Sequence, residues 1–174
     1  MISKKICLIG SFAVGKTSLV RRFVTDGFDE KYQTTIGVKI DKKELVLADQ
    51  TLQFVIWDLE GPDEFAELRT TYLRGAAGYF LVIDATRPKT LEIALSLNQI
   101  VRATLADAPF ILLINKMDLE AERKISSAEL QVCIDAGWTL LETSAKTGCN
   151  VEHAFELLAQ KLLHQTASAE VRSL

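Results

Sequence analysis

The chain is poor in the residues that mark several large classes of protein. It has 174 residues but only three cysteines, three prolines, two histidines and two tryptophans. The cysteines, Cys7, Cys133 and Cys149, are odd in number and lack metal-ligand spacing, which excludes a disulfide scaffold or zinc module and fits reduced thiols in a cytoplasmic protein. No apolar run approaches the roughly 20 residues needed to span a bilayer, and the start, MISKKICLIG, has no signal-peptide pattern. There is no Pro/Gly/Ser-rich linker and no internal repeat. Positive charge is not in excess: 20 Lys and Arg against 23 Asp and Glu give a net charge of −3, which argues against electrostatic nucleic-acid binding. A hydrophobic content of 48% with 25% charged residues excludes a disordered chain and fits one globular domain. His153 and His164 fall on one predicted helix about three turns apart, too far to share a metal. Cys7 reads as a small core residue, and Cys149 as a loop residue with nothing nearby to lower its pKa.

What is present alternates between short apolar runs and helical patterns. Strands are predicted over 4–9, 38–47, 52–57, 79–83, 110–114 and 139–142, the second and third joined as a hairpin through residues 48–51. Helices are predicted over 16–24, 91–105 and 151–163, the last opened by Asn150. Helical spacing also runs over 62–74, behind the breaker Pro62. A further helix starts at Ser126, with Glu129 closing a capping box. Residues 26–37 read as a long loop. The expected fold is α/β: a six-stranded, mainly parallel sheet with one antiparallel edge strand, and about five helices on both faces. Ligands of such sheets bind at the carboxyl ends of the strands.

Two groups of motifs lie at those ends. Gly10-Ser11-Phe12-Ala13-Val14-Gly15-Lys16-Thr17, followed by Ser18, follows a strand, opens a helix and matches the phosphate-loop pattern G-x-x-x-x-G-K-[ST]. Backbone N–H groups curl around a phosphate, the helix N-terminus adds positive potential, Lys16 reaches the β and γ phosphates, and the Thr17 hydroxyl ligates Mg²⁺. At an average glycine frequency of ~7%, such a match should arise by chance in well under ~1% of chains this long. Asn115-Lys116-Met117-Asp118 and Thr143-Ser144-Ala145-Lys146 end the next two strands. A carboxylate such as Asp118 accepts from both N1–H and the 2-amino group of guanine, whereas adenine would leave it unpaired. Alone, Asp118 would read as a turn or helix cap; its place beside a phosphate loop reverses that.

Taken together, these motifs resemble the small GTPases of the Ras superfamily from Lys4 to about Leu163. The Rab-like flavour comes from Thr35-Ile36-Gly37-Val38, Trp57-Asp58 and Tyr72-Leu73-Arg74-Gly75-Ala76-Ala77-Gly78. The resemblance implies a GTPase domain over 1–164 with a short tail over 165–174. It implies GTP or GDP and Mg²⁺ as ligands, with Thr17, Thr35 and, through water, Asp58 at the metal. Lys16, Thr35 and Gly61 would meet the γ-phosphate, Gly61 through its N–H. Phe28 would lie against the base edge, Asn115, Lys116, Ser144 and Lys146 would support the base site, and the Ala145 N–H would meet the guanine O6. Residues 28–40 and 58–74 would be switch I and switch II, ordered by γ-phosphate and Mg²⁺ and released on hydrolysis. Protein effectors would dock on the switches through Trp57 and Tyr72, with Ile40 at the place where Phe is usual; for Trp57, plain sheet packing is about as good a reading. An exchange factor and an activating protein are implied as further partners, and a monomer is expected.

Besides Ile40, three residues that bear on hydrolysis depart from the family. Pro62 stands where a Gln normally orients the attacking water, and it has neither a polar side chain nor an N–H. Phe12 replaces a small residue and would project toward the γ-phosphate, crowding water and an incoming arginine finger. Glu60 replaces an Ala and places a carboxylate near Asp58 and the phosphates, repulsive unless paired or protonated. Three consequences are open at this stage: slow hydrolysis that leaves the protein GTP-bound, an alternative catalytic arrangement through Glu60 or a partner, or a hydrolysis-deficient scaffold. The chain ends without a C-terminal cysteine or basic run, and Ile2 replaces the glycine that myristoylation needs, so no lipid anchor is visible and a cytoplasmic location is expected, unless a tail is missing.

Overall fold

A computed structural model describes residues 2–31, 34–48, 50–61 and 68–171. Strands β1 (Ile2–Ile9), β2 (Val38–Leu47), β3 (Gln50–Leu59), β4 (Gly78–Asp84), β5 (Phe110–Asn115) and β6 (Leu140–Glu142) form one sheet in the order β2-β3-β1-β4-β5-β6. All neighbours pair in parallel except β2 with β3, which is the expected antiparallel edge.

The central strands β1, β4 and β5 are buried on both faces, and side-chain alternation decides which residue goes where. On β1, Ile6 and Leu8 face one core and Cys7 and Ile9 the other; on β4, Phe80 and Val82 oppose Tyr79, Leu81 and Ile83. The first core is closed by α1 (Lys16–Thr25) and α4 (Val151–Val171), and centres on Phe155, whose ring stacks on Phe23 at 3.7 Å and meets Phe80 edge-on at 4.8 Å. The second is closed by α2 (Lys89–Thr104) and α3 (Ser127–Asp135). Helix α3 starts on the expected capping box: Ser126 Oγ accepts from the Glu129 N–H, and the Glu129 carboxylate accepts from the Ser126 N–H at 2.8 Å.

Several sequence-based boundaries are corrected. Leu47 already pairs with Gln50 and Val46 with Thr51, so Gln50 and Thr51 belong to β3 rather than to the connection. Helix α4 continues well past Leu163 to Val171, so most of the expected tail is helix; Gln165 Nε2 donates to the Asp107 carbonyl at 2.7 Å. Of the helical pattern over 62–74, residues 62–67 lie outside the described residues, and the described part holds a 3-10 turn at Thr70–Leu73. Four α-helices rather than five are therefore seen among the described residues, with a second 3-10 segment at Met117–Glu122. Cys7 and Cys133 are buried and Cys149 is exposed; burial pushes the Cys7 thiol up to about 12.

The order of strands reverses at β1: the chain goes to β3 on one side and β4 on the other. The crevice above the carboxyl end of β1 is thus where an open parallel sheet offers space to a ligand.

Candidate functional site

The segments at the carboxyl ends of β1, β3, β5 and β6 meet around a cavity of about 430 Å³. Its wall contains Phe12, Ala13, Gly15, Lys16, Thr17, Ser18, Phe28, Thr35, Gly61, Asn115, Lys116, Asp118, Ala145 and Lys146, all expected from sequence, together with Arg21, Asp29, Glu30, Lys31, Leu59 and Leu119. Gly10, Ser11, Val14, Asp58 and Ser144 are buried just behind it rather than lining it.

The loop after β1 wraps onto its own lysine. Lys16 Nζ donates to the carbonyls of Gly10 (2.8 Å) and Ser11 (2.9 Å). Burial pushes the ammonium down to about 8, the Asp58 charge opposing that shift and Arg87 reinforcing it. Gly15 sits at φ +102, and a Cβ there would lie 2.3 Å from Asn115 Nδ2, so only glycine both adopts this backbone and permits the approach. Gly61 is pressed against the same loop: an added Cβ would stand 2.5 Å from Lys16 Nζ and 2.6 Å from the Ser11 backbone.

Thr17, Thr35 and Asp58 converge from helix α1, the loop before β2 and the end of β3. Thr17 Oγ1 lies 2.6 Å from Thr35 Oγ1 and donates to Asp58 Oδ2 at 2.5 Å; Thr35 Oγ1 reaches the same oxygen at 3.2 Å. Two hydroxyls and a carboxylate are a hard, all-oxygen donor set of the kind Mg²⁺ takes. The remaining oxygen, Asp58 Oδ1, is buried without a partner among the described residues, as is Ser11 Oγ. Burial raises the Asp58 pKa, against hydrogen bonds from Thr17 and Thr35 and the charge of Lys16. The converging oxygens and the orphaned buried Asp58 Oδ1 fit a divalent metal.

On the other side of the cavity, Asn115 joins three segments. Its Nδ2 donates to the Val14 carbonyl at 3.0 Å, and its Oδ1 accepts from Thr143 Oγ1 (3.2 Å) and the Ala145 N–H (3.3 Å). The Ala145 N–H, expected to face a base oxygen, is thus turned to Asn115. Asp118 Oδ1 accepts from Ser144 Oγ at 2.7 Å, which fixes the carboxylate at the cavity wall. Lys146 pairs with Glu30 at 3.6 Å. Lys116, at φ +67, places its ammonium 2.7 Å from the buried Asp84.

Asp84, Arg87 and Arg22 were not singled out from sequence. Burial works against the charge of Asp84, yet hydrogen bonds from Lys116 and Thr86 outweigh it and hold the carboxyl below its usual range. Arg87 Nε donates to Asp84 at 2.9 Å, and its NH2 donates to the Phe12 carbonyl at 2.9 Å, linking the base side to the phosphate loop. Arg22 reaches from α1 to the carbonyls of Ala145 (2.8 Å) and Lys146 (2.5 Å). A charged residue closing a buried strand was a usable signal for Asp84. Arg22 also pairs with Asp26 one turn on at 3.2 Å, which reads as an ordinary helix-surface pair; its partners in the base loop are more than 120 residues away, and no local pattern points to them.

The departures from the family pattern fall as follows. Phe12 lines the cavity and is 41% exposed. Glu60 is not on the cavity wall; its carboxylate accepts from the Gly37 N–H at 2.9 Å. Pro62 is outside the described residues. Trp57 is half-buried, with Lys5 Nζ 3.6 Å from its ring centroid and the Tyr72 ring 6.1 Å away, so it packs on the sheet and still reaches the surface; its cross-strand partner Ile40 is 48% exposed. No helix among the described residues is long and apolar enough to cross a membrane.

Comparison with known proteins agrees with this architecture. The family model described as "Ras family" matches residues 5–164. The chain is 36% identical to mouse (Mus musculus) Ras-related protein Rab-7b over an alignment of 175 positions, covering 97% of this chain and 87% of that one. It is also 36% identical to Ras-related protein Rab-13 of Canis lupus familiaris (91% and 79% covered) and to Ras-related protein Rab7 of Drosophila melanogaster (96% and 84%). Members of this family bind guanine nucleotides, typically with Mg²⁺, hydrolyse GTP, and work with effectors, exchange factors and activating proteins. Similarity on this scale runs through the whole fold rather than stopping at the phosphate loop, so a shared motif does not account for it, and the chain belongs to the Ras family as a Rab-like small GTPase, a GTP-binding molecular switch.

Proposed function

We propose that this GTPase holds GTP or GDP in the cavity above β1 and hydrolyses GTP very slowly, so that it persists in the triphosphate-bound form. In this reading residues 10–18 cradle the phosphates, Lys16 and the Gly61 N–H meet the γ-phosphate, Asp118 reads the guanine edge, and Phe28 closes the base side. Thr17 and Thr35 would hold Mg²⁺ with Asp58 behind them, the cation supplying charge neutralisation at the phosphates. The observation that carries the reading is the convergence of Thr17, Thr35 and Asp58 beside a buried Lys16, which supports Thr35 meeting the phosphate side.

Slow turnover follows from the residue types near the reaction. Pro62 has no group to orient water, and Phe12 occupies cavity wall that small residues leave open. The Glu60 carboxylate is engaged by Gly37, which speaks against its serving as a substitute base. Without water positioning or an arginine finger, one turnover should take about an hour or longer. Effectors would dock beside Trp57, Tyr72 and Ile40, where exposed apolar and aromatic surface adjoins both switches.

The test has two parts. Nucleotide released from gently purified protein should be mainly GTP; mainly GDP would overturn persistence in the triphosphate form. In single turnover, Pro62→Gln should hydrolyse GTP faster than the parent. An unchanged rate would mean that Pro62 is not the limiting defect, and Phe12→Gly would be next.

A further inference from the structure

The two switch segments leave the sheet side by side at the end of the β2–β3 ladder. Val38 and Leu59 are the last registered partners, and Gly37 and Glu60 are the next pair outward. In an antiparallel ladder a hydrogen-bonded pair exchanges two backbone bonds. The first is made: the Glu60 N–H donates to the Gly37 carbonyl at 2.9 Å. The second is not a backbone bond. The Gly37 N–H donates instead to Glu60 Oε2, also at 2.9 Å.

We propose that Glu60 is a positioning residue that latches switch I to switch II by substituting its carboxylate for its own backbone carbonyl. The substitution has a geometric use. It lets the chain turn out of the sheet after residue 60, bringing Gly61 against Lys16 and Ser11, while Gly37 stays tied as if the ladder continued. Gly37 is two residues from Thr35, and Glu60 is two from Asp58, so the latch fixes the spacing of two of the three converging oxygen donors. Packing contributes little here, since neighbouring Ile36 is 87% exposed. An alanine at position 60 offers no side-chain acceptor to Gly37. The inference rests on residues 28–40 and 58–74 acting as switches, and it makes their closure a property of a residue that this chain carries and the usual family pattern does not.

The experiment is hydrogen–deuterium exchange on the full chain, comparing wild type with Glu60→Ala and Glu60→Gln, each bound to a non-hydrolysable GTP analogue and each without nucleotide. A peptide covering residues 34–40 reads the Gly37 amide, and one covering 10–17 is the internal control. In Glu60→Ala, exchange over 34–40 should rise about fivefold, as expected for loss of one solvent-accessible, charge-assisted bond. Glu60→Gln should stay within about twofold of wild type, because its amide oxygen still accepts. The 10–17 peptide should be unchanged in all three. Equal exchange in Glu60→Ala and wild type overturns the latch, as does equal acceleration in Ala and Gln, or acceleration that spreads to the control peptide. Failure of the wild type to retain the analogue would instead overturn the nucleotide-binding reading, while the nucleotide-free series would still decide the latch.

Discussion

Replacing Asn115 with Ala tests whether the phosphate loop and the base side are one mechanical unit. The side chain is 1% exposed, and its three hydrogen bonds go to Val14, Thr143 and Ala145, all buried. At a net value of about 1 kcal/mol per bond, deletion should cost roughly 3 kcal/mol. A water entering the space would recover part of this, and desolvated partners left unpaired would add to it, so roughly 2–5 kcal/mol brackets the outcome. Against the typical total of about 5–15 kcal/mol, that is a large fraction of the stability. The assay is urea unfolding at two nucleotide concentrations, so that ligand stabilisation can be separated from the intrinsic term, together with the dissociation rate of a fluorescent guanine nucleotide. Nucleotide should leave faster, because Val14 and Ala145 lose their common anchor. Asn115→Asp should be no better than Ala: it keeps the two acceptor contacts but turns a carboxylate toward the Val14 carbonyl. A stability loss under about 1 kcal/mol with an unchanged dissociation rate would refute the reasoning.

Two further outcomes follow from the same geometry. The free protein holds Lys16 with a pKa lowered to about 8, and bound phosphates favour the ammonium and raise it, so binding takes up a proton above that pH; affinity should therefore weaken about fourfold between pH 7 and 8.5, and a flat titration profile would refute the assignment. Arg22→Ala frees the Ala145 and Lys146 carbonyls and should speed nucleotide release by about tenfold, with Arg22→Lys only partly restoring it because one ammonium does not reproduce the guanidinium fork; stopped-flow displacement reads both, and wild-type release from Arg22→Ala would show that the base loop stands without this support.

Much of this protein was legible in its residues alone, because the signals concerned are local. Alternating apolar runs, each ending in Gly10, Asp84 or Asn115, identify buried strands, since a both-sides-covered strand needs continuous apolar sequence and its end needs a polar stop. The phosphate loop is contiguous, so its spacing carries its geometry. Ser126 and Glu129 announce a helix start because a capping box is closed within four residues. Helix and strand ends were less legible: α4 continues into Ala- and Glu-containing sequence after residue 163, and polar composition does not by itself show where helical bonding stops.

Tertiary structure alone decided the connections between segments distant in sequence. Glu60, whose residue type implies repulsion near Asp58 unless it is paired, finds its partner in the Gly37 N–H through an extension of the β2–β3 register. Arg22 supports the base loop only because α1 passes beneath it, and Arg87 joins Asp84 to the phosphate loop only because β4 lies beside β1. The Ala145 N–H turns to Asn115 because β5 brings that amide within reach. Residue type and local spacing specify which groups the chain places at the mouth of the sheet; strand order and register decide which of them touch, since a hydrogen bond depends on a separation of about 3 Å that no sequence interval encodes.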